Sequence, residues 1–77
     1  MKTEIDLHGL RLHEAEIVVM KFLDQLYCEA EGCGRIIHGH GVIAETLPLW
    51  LKNYPYVKRF ERAPFNFGVT LVFMDIL

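Results

Sequence analysis

Residues 36–41 read Ile-Ile-His-Gly-His-Gly, and residues 5–9 read Ile-Asp-Leu-His-Gly. Each is a short apolar run that stops at a His-Gly pair. Glycine punctuates strands, and β-branched residues favour them, so both runs predict a strand ending in a turn. In the first, Ile5 and Leu7 alternate with Asp6 and His8, which predicts a half-buried strand over residues 4–8, ended by Gly9. The second predicts a strand over Arg35–His38, with Gly32 and Gly34 bracketing a break before it.

Between them the period changes. From His13 to about Ala30, Ala15, Val19, Phe22 and Leu26 recur at helical spacing, flanked by Val18 and Leu23. Glu14 and Glu16 fall in the first turn, where carboxylates suit the helix dipole. After Gly41, Leu47, Trp50, Leu51 and Tyr54 mark a second helix. Pro48 is tolerated in a first turn, which predicts a start near Thr46, and Pro55 ends the helix. Val57–Ala63 alternates as a third strand, Pro64–Gly68 is a turn, and Val69–Met74 is a fourth strand, apolar on both faces.

The order β-α-β-α-β-β predicts an α/β two-layer sandwich: one domain over residues 1–77, a four-stranded mixed sheet, and two helices on one face covering Ile5 and Leu7. The β-α-β portions are expected to be parallel with right-handed crossovers, and the last two strands antiparallel.

Composition narrows the function. The chain is 52% hydrophobic and 23% charged, well inside the folding regime. No apolar run approaches the roughly 18 residues that cross a bilayer, and no signal peptide is evident, so a cytoplasmic protein without membrane contact is expected. Eight basic residues against ten acidic ones give a net charge of −2, which argues against broad nonspecific nucleic-acid binding but leaves room for a local basic patch. Cys28 and Cys33 form no CxxC pair and read as reduced thiols; zinc binding by them lacks a second tightly spaced ligand pair.

Parallel strands bring both His-Gly ends to one edge of the sheet, where open α/β sheets bind ligands. Asp6, His8, His38 and His40 are expected to meet there. Asp6 and His8, two apart on a strand, share a side, and a carboxylate beside an imidazole tunes a general base or acid. Gly39-His40-Gly41 before a helix offers backbone amides to a phosphate. Asp6, His8, His38 and His40 also form a candidate metal quartet, although no dedicated metal site is expected. Arg11 follows the first His-Gly, and Lys58, Arg59 and Arg62 cluster on the third strand as candidate phosphate contacts. Phe65 and Phe67 flank Asn66 in the last turn, where they either cap the core or stack on bases. Ile17 lies near the polar face of the first helix, beside Lys21 and Asp24, and hints at a partner surface.

Ile5-Asp6-Leu7-His8-Gly9-Leu10-Arg11 is similar to the LDLHG signature of the small MutS-related (Smr) domain, and Ile36–Gly41 to its HGxG signature. Tyr54–Lys58 and Gly68–Val72 resemble its third and fourth strand starts, so the likeness runs over roughly residues 4–74. The resemblance implies a β-α-β-α-β-β fold like the C-terminal domain of bacterial translation initiation factor three. It also implies nucleic-acid binding and, for many members, endonuclease activity that nicks DNA or cleaves RNA. Asp6, His8, Gly39 and Gly41 correspond to the residues tied to binding and cleavage. The likeness points to an excised C-terminal domain of the second bacterial MutS paralogue, an ATPase, and so to DNA repair and recombination. Two departures stand out. His40 occupies a position that is often basic, and the segment after Gly41 is shorter and lacks a further Gly.

The leading expectation is a nuclease. His8 acts as general base or acid oriented by Asp6, Gly9, His38 and the Gly39-His40-Gly41 amides form the binding edge, and Arg11 neutralises charge. RNA cleavage through the 2′-hydroxyl requires no cofactor, whereas DNA cleavage brings in Mg²⁺. One rival is a binding module for branched or single-stranded nucleic acid without catalysis. Another is a protein-interaction domain using Ile17 and the last strand.

Overall fold

A computed structural model of the chain describes residues 3–76. The elements are β1 (Glu4–Asp6), α1 (Leu12–Cys28), β2 (Cys33–Ile37), α2 (Val42–Lys52), β3 (Val57–Ala63) and β4 (Asn66–Met74). The sheet order is β1-β2-β4-β3. β1 and β2 are parallel, and β4 runs antiparallel to both β2 and β3. This is the expected mixed four-stranded sheet, with both helices on one face. Among the described residues no helix is long and apolar enough to cross a membrane.

Strand alternation sorts the two faces. Ile5, Leu7, Ile36, Val72 and Met74 join Ala15, Val19, Phe22, Leu23 and Leu26 of α1 and Leu47, Trp50 and Leu51 of α2 in one buried cluster. The opposite face carries Glu4, Arg35, Arg59 and Glu61, paired as two exposed salt bridges. Pairs of this kind contribute little to stability.

Helix α1 is capped at its start by Glu14, whose carboxylate accepts the Arg11 backbone N–H at 2.8 Å. At its end, the Glu31 N–H reaches the Leu26 carbonyl at 2.8 Å and the Ala30 N–H the Tyr27 carbonyl at 3.1 Å, with Ala30 at φ 56°. That is a Schellman closure with alanine where glycine is usual.

Three expectations are corrected. Gly34 does not mark a break; it is buried within β2. A Cβ there would lie 2.7 Å from Leu26 Cδ1 and 2.8 Å from Phe22 Cζ, so glycine is what lets α1 lie this close to the strand. Helix α2 starts at Val42, not near Thr46, which puts Pro48 inside it. Pro48 has no N–H to give to the Ala44 carbonyl four residues back. The Arg62 guanidinium takes that place, donating to the Ala44 oxygen at 3.3 Å. Finally, the turn before β4 is only Pro64–Phe65, and Asn66 and Gly68 already belong to the strand.

Candidate functional site

The β1–β2 ladder pairs Asp6 with Ile37 and continues one step further, with the Leu7 N–H donating to the Ile37 carbonyl at 2.8 Å. Both His-Gly stretches therefore leave the sheet side by side at the same edge. In the first, Leu10 N–H closes on the Leu7 carbonyl at 3.1 Å, with Gly9 at φ 82°. A positive φ at the third turn position selects glycine. In the second, Gly39 has φ 73° and turns the chain into α2.

This geometry changes the expected relation of Asp6 and His8. β1 ends at Asp6, so His8 lies in a turn and not on the pleat. The two-residue alternation that would align their side chains has stopped. The Asp6 carboxylate instead accepts the backbone N–H of His8 at 2.8 Å. Asp6 thus fixes the turn that carries His8, while the exposed imidazole projects from it.

His38 is also not where the sequence put it. Its side chain is 7% exposed and faces the helical layer. One ring nitrogen, Nε2, lies 2.7 Å from Thr70 Oγ1, and the other, Nδ1, lies 2.7 Å from the Gly39 carbonyl oxygen. Nδ1 is therefore the protonated nitrogen of the neutral ring, and Nε2 accepts from the threonine hydroxyl. Burial depresses the His38 pKa, partly countered by the hydrogen bond to Gly39, and nearby Arg62 and His40 depress it further. His38 braces the loop from inside, so its ring does not join Asp6, His8 and His40 as a ligand. Among the described residues no three His, Cys, Asp or Glu side chains are grouped to hold a metal ion.

The phosphate-facing amides are fewer than expected. The His38 and Gly39 N–H groups both donate to the Gly68 carbonyl, at 2.9 and 3.0 Å. What remains lies beyond: His40, Gly41 and the first turn of α2, whose N-cap Gly41 supplies no side-chain cap. Gly41 has φ −96°, and a Cβ there would meet nothing within 4 Å. The fold itself makes no demand for glycine at that position.

The basic residues divide. Arg62 lies at the site edge, opposite Thr70 in the ladder, and also donates to the Phe67 carbonyl at 2.9 Å. Lys58 and Arg59 belong to the other end of β3, about 13 Å away along the strand for Lys58. Arg59 pairs across the ladder with Phe73, sits 3.9 Å over its ring and bonds Glu61 at 2.5 Å. Arg11 is the N-cap of α1, beside the first turn, and joins neither salt bridge found among the described residues. Cys28 and Cys33 are free and exposed.

Sequence reasoning missed Thr70, the partner of His38. Its one signal was a hydroxyl in an otherwise apolar strand. Comparison with known proteins agrees with the geometry. The Smr domain profile matches residues 5–75. The endonuclease MutS2 of Carboxydothermus hydrogenoformans is 45% identical over 67 residues, covering 84% of this chain and 9% of that protein. The ribosome rescue factor SmrB of Shewanella putrefaciens is 31% identical over 77 residues, 94% of this chain and 44% of that one. The chain thus spans less than half the length of these relatives. The crystal structure of the Smr domain of Thermus thermophilus MutS2 superposes with a TM-score of 0.88 at 29% identity, covering 96% of this chain and 98% of that one. Escherichia coli YdaL, a stand-alone small MutS-related protein, shares the fold with the same TM-score at 19% identity, over 94% of this chain and 63% of that one. With both His-Gly turns at one sheet edge and a family match over nearly its whole length, the chain belongs to the Smr domain family.

Proposed function

We propose that this domain cuts the nucleic-acid backbone it binds, with His8 as general base or acid. The observation that carries the reading is the parallel β1–β2 register, which opens the two His-Gly turns side by side beside the uncapped start of α2. The free amides of His40, Gly41 and the first helical turn hold a phosphate, and Arg11 and Arg62 offset its charge. Asp6 acts as a positioning residue through the His8 backbone, not through the ring.

On RNA, His8 takes the proton of the 2′-hydroxyl, the 2′-oxygen bonds to phosphorus, and the 5′-oxygen leaves and takes a proton from water or a second acid. On DNA, which lacks that hydroxyl, water is the nucleophile: His8 takes its proton, the water oxygen bonds to phosphorus, and one ester oxygen leaves and takes a proton from solvent. The ribosome rescue relatives favour RNA, and the MutS2 relative favours service to a larger MutS-type chain in DNA repair. A second reading, a binding module without catalysis, draws support from the Asp6 carboxylate being engaged by a backbone amide.

End-labelled RNA and supercoiled DNA, each with EDTA and with Mg²⁺, test the two readings. Cleavage by the wild type is expected to fall by about 10²- to 10⁴-fold in His8→Ala, with binding kept. Binding by both proteins with no cleavage by either leaves the non-catalytic module.

A further inference from the structure

The β3–β4 hairpin carries two aromatic rings that the fold does not use. Phe65, at the two-residue turn, is 100% exposed, and Phe67 is 61% exposed. Neither belongs to the core cluster. A tight turn is served well by Asn, Asp or Gly, so a phenylalanine there gains nothing from folding. The support under the rings is nonetheless firm. Pro64 fixes one backbone angle of the turn. Asn66 Oδ1 accepts the Gly68 N–H at 2.9 Å, and the Arg62 guanidinium binds the Phe67 carbonyl on one side and the Ala44 carbonyl of α2 on the other. The hairpin is therefore tied to the loop at His38–Gly41, because the Gly68 carbonyl accepts both the His38 and Gly39 N–H groups.

We propose that this tip is a base-stacking post, and that it makes the site selective for nucleic acid with unpaired bases. The inference rests on the nucleic-acid reading of the adjoining edge and names the substrate class. Phosphates track the cationic Arg62 and the open amides at the start of α2, while an unpaired base stacks on Phe65 and a neighbouring one on Phe67. A paired duplex keeps its bases stacked on each other and offers these rings nothing. Several features favour bases over a lipid surface. A guanidinium is held on the Phe67 carbonyl, the first turn of α2 offers open amides, and the chain carries net negative charge, which an anionic lipid surface repels. A ring held on a rigid support loses little freedom on binding, which favours stacking.

The test is fluorescence anisotropy with a labelled single-stranded oligonucleotide and a labelled blunt duplex, over a series of salt concentrations. Phe65→Ala is expected to weaken single-strand binding about ten-fold or more, as loss of one base–aromatic stack does, and to leave duplex binding within about two-fold. The salt slope stays that of the wild type, since no phosphate contact is removed. Phe65→Trp restores the affinity, and its indole fluorescence is quenched by the single strand. Because Phe65 is fully exposed, neither substitution disturbs the core. Equal binding of the single strand by Phe65→Ala and wild type, or an equal loss for strand and duplex, overturns the stacking post alone. A wild type that binds neither oligonucleotide overturns the nucleic-acid reading and this inference with it.

Discussion

The two ends of the sheet use the same kinds of residue in opposite ways. At the end where β2 begins, aromatic and charged groups satisfy one another. Tyr27 stacks on Tyr56 with ring centroids 3.9 Å apart, and Tyr54 meets Tyr56 edge-on at 6.2 Å. The Tyr54 hydroxyl donates to Asp24 at 2.5 Å, and burial together with that carboxylate pushes its pKa up. Arg59 has a ring beneath it and a carboxylate beside it. At the end where β2 stops, Phe65 touches no core, and Arg62 is held by neutral carbonyls that leave its charge uncancelled. Residue type does not separate a structural end from a binding end. Whether the groups already have partners does.

Substitution of one glycine at each end would sharpen the contrast most. Gly34→Ala forces a methyl group into Leu26 and Phe22 and is expected to cost about 1–3 kcal/mol, read as a lower Tm. Gly41→Ala meets open space at an ordinary φ and is expected to leave Tm unchanged or slightly raised. The same methyl group obstructs a phosphate approaching the amides, so its nucleic-acid affinity drops while that of folded Gly34→Ala does not. A smaller effect separates the arginines. Arg62→Ala is expected to lower the salt slope of binding by about one, and Arg59→Ala to leave it unchanged. Equal slopes for the two variants would break the comparison.

The smallest effect is in pH. The His38 pKa lies below its ordinary 6.5 in the fold, so the unfolded chain takes up the proton first as pH falls. Its contribution to stability is therefore full above 6.5, shrinks as pH drops through that value, and levels off below the depressed folded value. Thermal melts between about pH 7.5 and about pH 5.5 are expected to show a steeper loss for wild type than for His38→Gln.

Much of this was legible in the sequence because it depends on period. The alternation at Ile5 and Leu7 and the helical spacing of Ala15, Val19, Phe22 and Leu26 produced the element order, and parallel topology brought the His-Gly ends together. The misreadings have two causes: a partner distant in sequence, or a local turn or strand direction that residue spacing alone does not show. Local rules put Pro48 in a first helical turn, but Arg62, from β3, serves the carbonyl that Pro48 leaves open and lets the helix start at Val42. Asp6 and His8 align only if the strand continues, and the turn to Leu10 stops it. Lys58, Arg59 and Arg62 look like one cluster along the chain, yet a strand spreads them between opposite ends of the sheet. His38 looked like a ligand until Thr70 closed on it.

The proline inside α2 has a consequence for how the domain changes over generations. With an N–H at residue 48 the helix can serve the Ala44 carbonyl itself, and the guanidinium loses one of its two anchors. Positions 48 and 62 are therefore expected to be energetically coupled. A lineage that trades Pro48 for an ordinary helix former relaxes the constraint on Arg62, and with it the stiffness of the hairpin. In a double-mutant cycle, the cost of Arg62→Ala should shrink once Pro48→Ala is present.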